Sequence, residues 1–149
     1  MLKSGLLHPD ILAACARAGH GSKILISDGN FPHVTRKNPA ADIVFLNLAP
    51  GLVKVTDVLR VLAPTVPVEA AEVMDYARSG PYALKNDPPV WQEFRAILKE
   101  NGYAIDLARL ERFQFYGAAE AGDVCLTVAT GEQRIYANLL LTIGVVKAE

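Results

Sequence analysis

Two ionisable side chains flank a short apolar run near the start of the chain. His20 lies just before the run "KILIS" (23–27), and Asp28 follows it directly. Histidine exchanges protons near neutral pH, so His20 is a candidate general acid or base. The carboxylate of Asp28 accepts hydrogen bonds and can hold a hydroxyl group. Each residue also has a purely structural interpretation, because histidine is common at helix ends and aspartate before glycine is typical of turns.

Further polar side chains follow a second apolar run, "DVCLTVAT", where Tyr136 and Asn138 lie within "TGEQRIYAN". The helix that begins near residue 111 adds Arg112 and Tyr116, which share one face because they are four residues apart. Together with Asp28, these groups provide a carboxylate, a guanidinium, phenols and an amide. That combination suits a small polyhydroxylated ligand.

The same segment allows plainer interpretations. Tyr136 and Asn138 alternate with apolar neighbours, which also fits a strand with one polar face toward solvent. Glu132 and Arg134 fit a surface ion pair of small energetic value. Arg112 fits a solvated helix residue, so no single residue of the set decides the function.

Composition excludes several classes of protein. The chain has 149 residues, 51% of them hydrophobic, and a net charge of −1. This favours a single domain over 1–149 and disfavours nucleic acid as a partner. We expect no signal peptide, no membrane span and a cytoplasmic location. Cys15 and Cys125 are expected to be reduced core residues, and two cysteines with three scattered histidines predict no metal site.

Strand and helix patterns roughly alternate along the chain. Helices are predicted over 9–18, 56–64, 87–102 and 111–122, and strands over 23–27, 42–48, 103–110, 123–130 and 137–146, while 67–74 is ambiguous. This alternation predicts an α/β fold with helices covering a mixed or largely parallel sheet. Ligands of such sheets usually bind beyond the carboxyl ends of strands, which points to Asp28 and to the segment after residue 130.

Three stretches resemble the D-ribose pyranase and L-fucose mutarotase family. They are "GHGSKILISDGNFP", "VPVEAAEVM" and "TGEQRIYANLLLTIGV", and the resemblance covers most of the chain. "ERFQFY" resembles the fucose branch, whereas the ribose branch tends to have a histidine near the position of Arg112. "YAN" is typical of both branches. Residues 76–89 match the family less well, which bears on the shape of a pocket wall.

The resemblance implies a single-domain three-layer sandwich and a cofactor-independent interconversion of sugar anomers, with L-fucose or a related sugar as substrate. It also implies a role for each matched residue. His20 would be the acid/base catalyst, and the substrate-binding set would be Asp28, Arg112, Tyr136, Ala137 and Asn138. D-ribose pyranase activity and non-catalytic sugar binding in transport remain the alternatives.

The spacing of His20 and Asp28 raises a geometric question. A five-residue strand at ~3.3 Å per residue spans roughly 16 Å, so the two side chains would lie near opposite ends of it. Either the strand is bent, or the site lies between subunits. The ring-shaped assembly that the resemblance implies, a decamer in the ribose branch, favours shared sites in a homo-oligomer.

Overall fold

The computed structural model describes residues 1–148. Six strands form one sheet: β1 (Lys23–Ser27), β2 (Asp42–Phe45), β3 (Val68–Met74), β4 (Leu107–Leu110), β5 (Val124–Ala129) and β6 (Leu139–Ile143). Their order across the sheet is β2-β5-β1-β6-β3-β4. β6 runs antiparallel to both of its neighbours, and the other five strands run in one common direction. The sheet is therefore mixed, as the alternation of elements predicted.

Helices cover both faces of this sheet. They are α1 (Pro9–Arg17), α2 (Val55–Leu62), α3 (Pro89–Glu100) and α4 (Arg112–Glu120). Because side chains alternate along a strand, Ile24 and Ile26 of β1 join one apolar cluster with α1, α2 and α3, while Leu25 joins a second cluster with α4. The result is a three-layer α/β sandwich, which confirms the predicted fold class.

α3 illustrates why the sequence folds this way. Its apolar stripe of Trp91, Phe94, Ile97 and Leu98 repeats at helical spacing, and all four side chains are buried. Each contributes about 1.5–3 kcal/mol relative to an exposed position. Gly102 then adopts a left-handed conformation, with φ of 83°, where the helix ends.

Several local predictions require correction. Residues 68–74 of the ambiguous stretch form β3, and β2, β4 and β6 are shorter than the predicted strands over 42–48, 103–110 and 137–146. The alternating segment 135–138 is a turn before β6, and Tyr136 within it has a φ of 59°. Glu132 is no surface residue, because only 2% of it is exposed and Arg134 bonds both of its carboxylate oxygens.

The two cysteines are free and half-buried against the core. Burial raises the pKa of both thiols. None of the helices within residues 1–148 is both long and apolar enough to cross a membrane.

Candidate functional site

The strand directions bring distant polar residues to one edge of the sheet. Asp28 follows β1, Met74 ends β3, and Arg112 begins the helix after β4, so all three lie at the carboxyl ends of strands running the same way. Asn138 reaches the same edge from the opposite direction, because it precedes the antiparallel strand β6. These residues line a cavity of about 310 Å³. The full lining is Asp28, Asn30, Phe31, Met74, Tyr82, Arg112, Tyr116, Ile135, Tyr136 and Asn138.

Asp28 and Asn138 form the buried polar centre of the cavity. The Asn138 Nδ2 donates to Asp28 Oδ2 at 2.9 Å, and Asn138 Oδ1 accepts from the backbone N–H of Asp28 at 2.8 Å. The backbone N–H of Asn30 donates to Asp28 Oδ1 at 3.0 Å. Only 2% of Asp28 and 3% of Asn138 is exposed, so these bonds fix both side chains in place.

The environment of Asp28 shifts its acidity. Burial raises the pKa of this carboxyl to about 6, because the charged form loses its hydration. Backbone hydrogen bonds from Asn30, Ala137 and Phe31 and the side chain of Asn138 oppose that shift. Near neutral pH the group is therefore largely an acceptor-only carboxylate, which suits it to bind a ligand hydroxyl.

The first turn of α4 supplies the positive charge of the site. Glu111 caps this turn by accepting the backbone N–H of Phe113 at 2.9 Å, which sets the direction of the helix. Arg112 and Tyr116 both line the cavity, as their spacing predicted. Arg112 is exposed, and no salt bridge among residues 1–148 engages it. Its guanidinium is therefore free to donate to a ligand oxygen.

Tyr136 lines the cavity, but its hydroxyl is engaged by backbone groups. It donates to the carbonyl of Tyr82 at 2.8 Å and accepts from the N–H of Ala77 at 3.2 Å. Trp91 Nε1 donates to the Tyr136 carbonyl at 2.9 Å, which holds the left-handed backbone. Ala137 is fully buried and lies outside the cavity lining, and its backbone group is among those that oppose the rise in the pKa of Asp28.

His20 lies at the opposite edge of the sheet, outside the cavity lining. Its Nε2 is 3.0 Å from Glu69 Oε2, and 60% and 45% of the two side chains are exposed. β1 runs as a continuous strand between His20 and Asp28. A bend therefore does not bring these two residues together within one chain.

Five cavity residues were absent from the sequence prediction: Asn30, Phe31, Met74, Tyr82 and Ile135. The rule that ligands bind beyond strand ends could have indicated Asn30, Phe31 and Met74, since they end or directly follow strands. Nothing in the local sequence indicates Tyr82, because a long connection carries it to the cavity. Within residues 1–148, no group of three potential metal ligands is close enough to hold an ion.

Comparison with known proteins agrees with this architecture. Human fucose mutarotase is 38% identical over 146 residues, which cover 94% of this chain and 90% of the human protein. The mouse fucose mutarotase is 35% identical over 145 residues, which cover 93% of this chain and 90% of the mouse protein.

Solved structures are also similar. The fucose mutarotase from Streptococcus pneumoniae in complex with L-fucose superposes with a TM-score of 0.78 at 26% identity, covering 94% of both chains. RbsD from Bacillus subtilis complexed with D-ribose gives 0.75 at 26% identity, covering 99% of this chain and 100% of that one. A family model matches residues 1–146, and the chain therefore belongs to the RbsD / FucU transport protein family.

Proposed function

We propose that this chain is a cofactor-independent sugar mutarotase that interconverts the anomers of L-fucose or a closely related monosaccharide. Its similarity to curated fucose mutarotases makes it an enzyme of the isomerase class. The observation that carries the proposal is the cavity at the carboxyl edge of the sheet, where Asp28, Asn138 and Arg112 converge.

The cavity chemistry suits a sugar. Asp28 accepts hydrogen bonds from ligand hydroxyls, Arg112 donates to ligand oxygens, and Asn138 fixes Asp28 in place. Phe31, Met74 and the tyrosine rings supply apolar surface for the carbon faces of the ligand. A volume of about 310 Å³ lies at the lower end of the range for small-molecule sites and accommodates a monosaccharide.

Anomer exchange opens and closes the sugar ring with the help of proton transfer and involves no redox step. A base takes the proton of the anomeric hydroxyl, the bond between C1 and the ring oxygen breaks, and an acid gives the ring oxygen a proton. Rotation about the C1–C2 bond and the reverse steps close the ring on its other face. We assign the acid/base role to His20, because an imidazole can take up and release a proton near neutral pH.

This assignment requires a second subunit. His20 and the Asp28 cavity lie at opposite edges of one sheet, so His20 of one chain must complete the cavity of a neighbour. The proposal therefore includes a ring-like homo-oligomer, such as a decamer, with its sites at subunit interfaces. In such a ring each chain gives its histidine to one neighbour and receives a histidine from another.

The assignment of L-fucose as the substrate rests on sequence similarity and on Arg112. The solved structures do not separate the branches, because the Streptococcus enzyme with L-fucose and the Bacillus RbsD with D-ribose are both 26% identical to this chain, with TM-scores of 0.78 and 0.75. The curated relatives and Arg112 favour L-fucose. D-ribose pyranase activity, which interconverts pyranose and furanose rings, is the alternative within the enzyme class.

A second candidate function is non-catalytic sugar binding in transport. It is favoured by the position of His20 outside the cavity, which leaves one chain with a binding site and no acid/base histidine in it. Magnetisation-transfer NMR on equilibrated L-fucose and D-ribose distinguishes the candidates. A mutarotase accelerates anomer exchange and its His20→Ala variant does not, whereas a binding protein perturbs its own spectrum with sugar and leaves the exchange rate unchanged.

A further inference from the structure

The segment of residues 75–84 contributes Tyr82 to the wall of the Asp28 cavity. This segment follows β3, and its Tyr82 lines the cavity while 64% of that residue is exposed. Most of it lies within residues 76–89, which match the resembled family less well. The position of Tyr82 therefore bears on which ligand fits the cavity.

Tyr136 forms two hydrogen bonds with the backbone of this segment. Its hydroxyl donates to the Tyr82 carbonyl at 2.8 Å and accepts from the Ala77 N–H at 3.2 Å, so it ties two points of the segment together. A phenol has one donor hydrogen and two acceptor lone pairs. The donor and one lone pair are therefore already used by the backbone, and the hydroxyl acts as a clamp.

The segment also closes on itself. The N–H of Leu84 donates to the carbonyl of Ala77 at 3.0 Å, and the N–H of Ala83 donates to Gly80 at 3.2 Å. Gly80 has a φ of 88°, which glycine adopts without strain. Tyr82 is therefore placed by backbone bonds that do not depend on its own ring.

Packing under the segment adds to this order. The ring of Tyr76 lies 6.2 Å from the ring of Tyr136 and 5.8 Å from that of Trp91. The Arg78 guanidinium covers Tyr76 at 3.9 Å and pairs with Asp75 at 2.9 Å. Tilted and edge-on aromatic rings and a charged pair therefore support the segment that brings Tyr82 to the cavity.

We propose that Tyr82 is a specificity-determining residue and that Tyr136 is the positioning residue that holds it at the cavity. The inference rests on the proposed function, because it takes a monosaccharide as the ligand. Aromatic rings contact the C–H groups of sugars, and a 6-deoxyhexose such as L-fucose carries an exocyclic methyl group that D-ribose lacks. With Phe31, Met74 and Ile135, Tyr82 completes the apolar part of the cavity and favours the sugar with the methyl group.

Exchange kinetics test the role of Tyr82. Anomer exchange is measured at several concentrations of L-fucose and D-ribose for the native protein, Tyr82→Ala and Tyr82→Phe. We expect Tyr82→Ala to raise KM for L-fucose by about fivefold or more and to leave KM for D-ribose within about twofold. Tyr82→Phe keeps the ring and should keep the native ratio of KM for L-fucose to KM for D-ribose. Equal changes for both sugars, or none, would overturn the specificity role.

The clamp has a matched control. Tyr103→Phe also removes a hydroxyl that bonds two backbone groups, the carbonyls of Ala63 and Val66, away from the cavity. We expect Tyr136→Phe to speed amide hydrogen exchange at Ala77 and to raise KM for L-fucose as Tyr82→Ala does, while Tyr103→Phe does neither. The double variant Tyr82→Ala/Tyr136→Phe should be no worse than Tyr82→Ala, because both changes act through one ring. A native fucose-to-ribose ratio in Tyr136→Phe would overturn the clamp.

Binding separates failure of this inference from failure of the proposed function. Calorimetric titration of each variant with L-fucose and D-ribose accompanies the kinetics. If the native protein binds the sugars without accelerating exchange, the mutarotase proposal fails, and the ratio of affinities in Tyr82→Ala decides the inference. If it binds neither sugar, both proposals are overturned.

Discussion

The two ends of β1 present opposite environments. At its carboxyl end, Asp28 is buried and hydrogen-bonded to Asn138, and it lines a formed cavity. At its amino end, the His20 side chain is largely exposed, and its ring lies within hydrogen-bond distance of Glu69. The carboxyl end is organised within one chain, whereas His20 lies outside the Asp28 cavity lining. Under the proposed function the two residues act in one site, which a single chain cannot assemble.

The difference in burial between the two ends of β1 means that substitutions there affect stability and activity differently. Replacing a buried, bonded group disturbs the fold as well as the ligand, because its partners remain behind unpaired. Replacing an exposed group leaves the fold nearly unchanged. Variants at the two ends should consequently lose activity for different reasons.

The largest expected effect is the loss of catalysis when His20, at the amino end of β1, is replaced. His20→Ala should lower the rate of anomer exchange by about 10³-fold, because it removes the acid/base group. Its free energy of unfolding should stay within about 0.5 kcal/mol of the native value, since the residue is exposed. Magnetisation-transfer NMR measures the rate of anomer exchange, and urea denaturation measures the free energy of unfolding. A native exchange rate would remove His20 from the mechanism.

Asn138→Ala should damage both properties at the carboxyl end. It leaves the backbone N–H and one carboxylate oxygen of Asp28 without their partner, which costs about 2 to 3 kcal/mol of stability. Exchange activity should fall as well, because Asp28 is no longer held. Asn47→Ala, at an exposed position, serves as the control in the same denaturation and exchange measurements. If Asn138→Ala were as stable as the control, the hydrogen bonds between Asn138 and Asp28 would contribute little to the stability of the fold.

Asp28 predicts a dependence of stability on pH. Burial raises the pKa of Asp28 to about 6 in the folded protein, above the 3.8 of a freely solvated aspartate, so the folded state binds this proton more tightly. The associated stabilisation is complete below about pH 4 and is lost as pH rises through about 6, by up to about 3 kcal/mol. Urea denaturation between these pH values should reveal this fall in the native protein. The fall should be absent in Asp28→Asn and present in Asp10→Asn, and equal slopes in all three would refute the assignment.

The smallest effect concerns the choice of sugar. Arg112→His should raise KM for L-fucose about tenfold, because a charged donor is lost, and should change D-ribose less. Stability should not change, since Arg112 is exposed and takes part in no salt bridge within the described chain. Exchange kinetics on both sugars provide the measurement, with Arg60→His on α2 as a control. Equal changes for the two sugars would mean that Arg112 does not distinguish them.

Local pattern was sufficient for much of the fold. Helical spacing predicted α3, and a short apolar run predicted β1, because burial on one face or on both leaves a clear period in the sequence. The rule that ligands bind beyond the carboxyl ends of strands pointed to Asp28 and to the segment that contains Asn138, and the structure places both residues in one cavity.

Long-range contacts account for what the sequence did not predict. Tyr136 has a left-handed backbone because Trp91 and residues 77–82 hold it, and those partners lie more than 40 positions away. Tyr82 reaches the cavity through the same contacts. Glu132 is buried since Arg134 neutralises it and Glu93 in turn bonds Arg134 at 2.6 Å. The Glu132–Arg134 pair was expected from the sequence, but its burial was not, and the contacts of Tyr136, Tyr82 and Glu93 join positions too far apart to leave a period in the sequence.

The central claim is that His20 of one subunit acts in the Asp28 cavity of another. Co-expression of His20→Ala with Asp28→Asn chains tests it, because neither variant alone can form a complete site. In random mixed oligomers about a quarter of the interfaces would unite a native His20 with a native Asp28. We predict that L-fucose anomer exchange, near background for each variant alone, recovers to about a quarter of the native rate in the mixture. Exchange that stays at background in verified mixed oligomers would contradict the shared site.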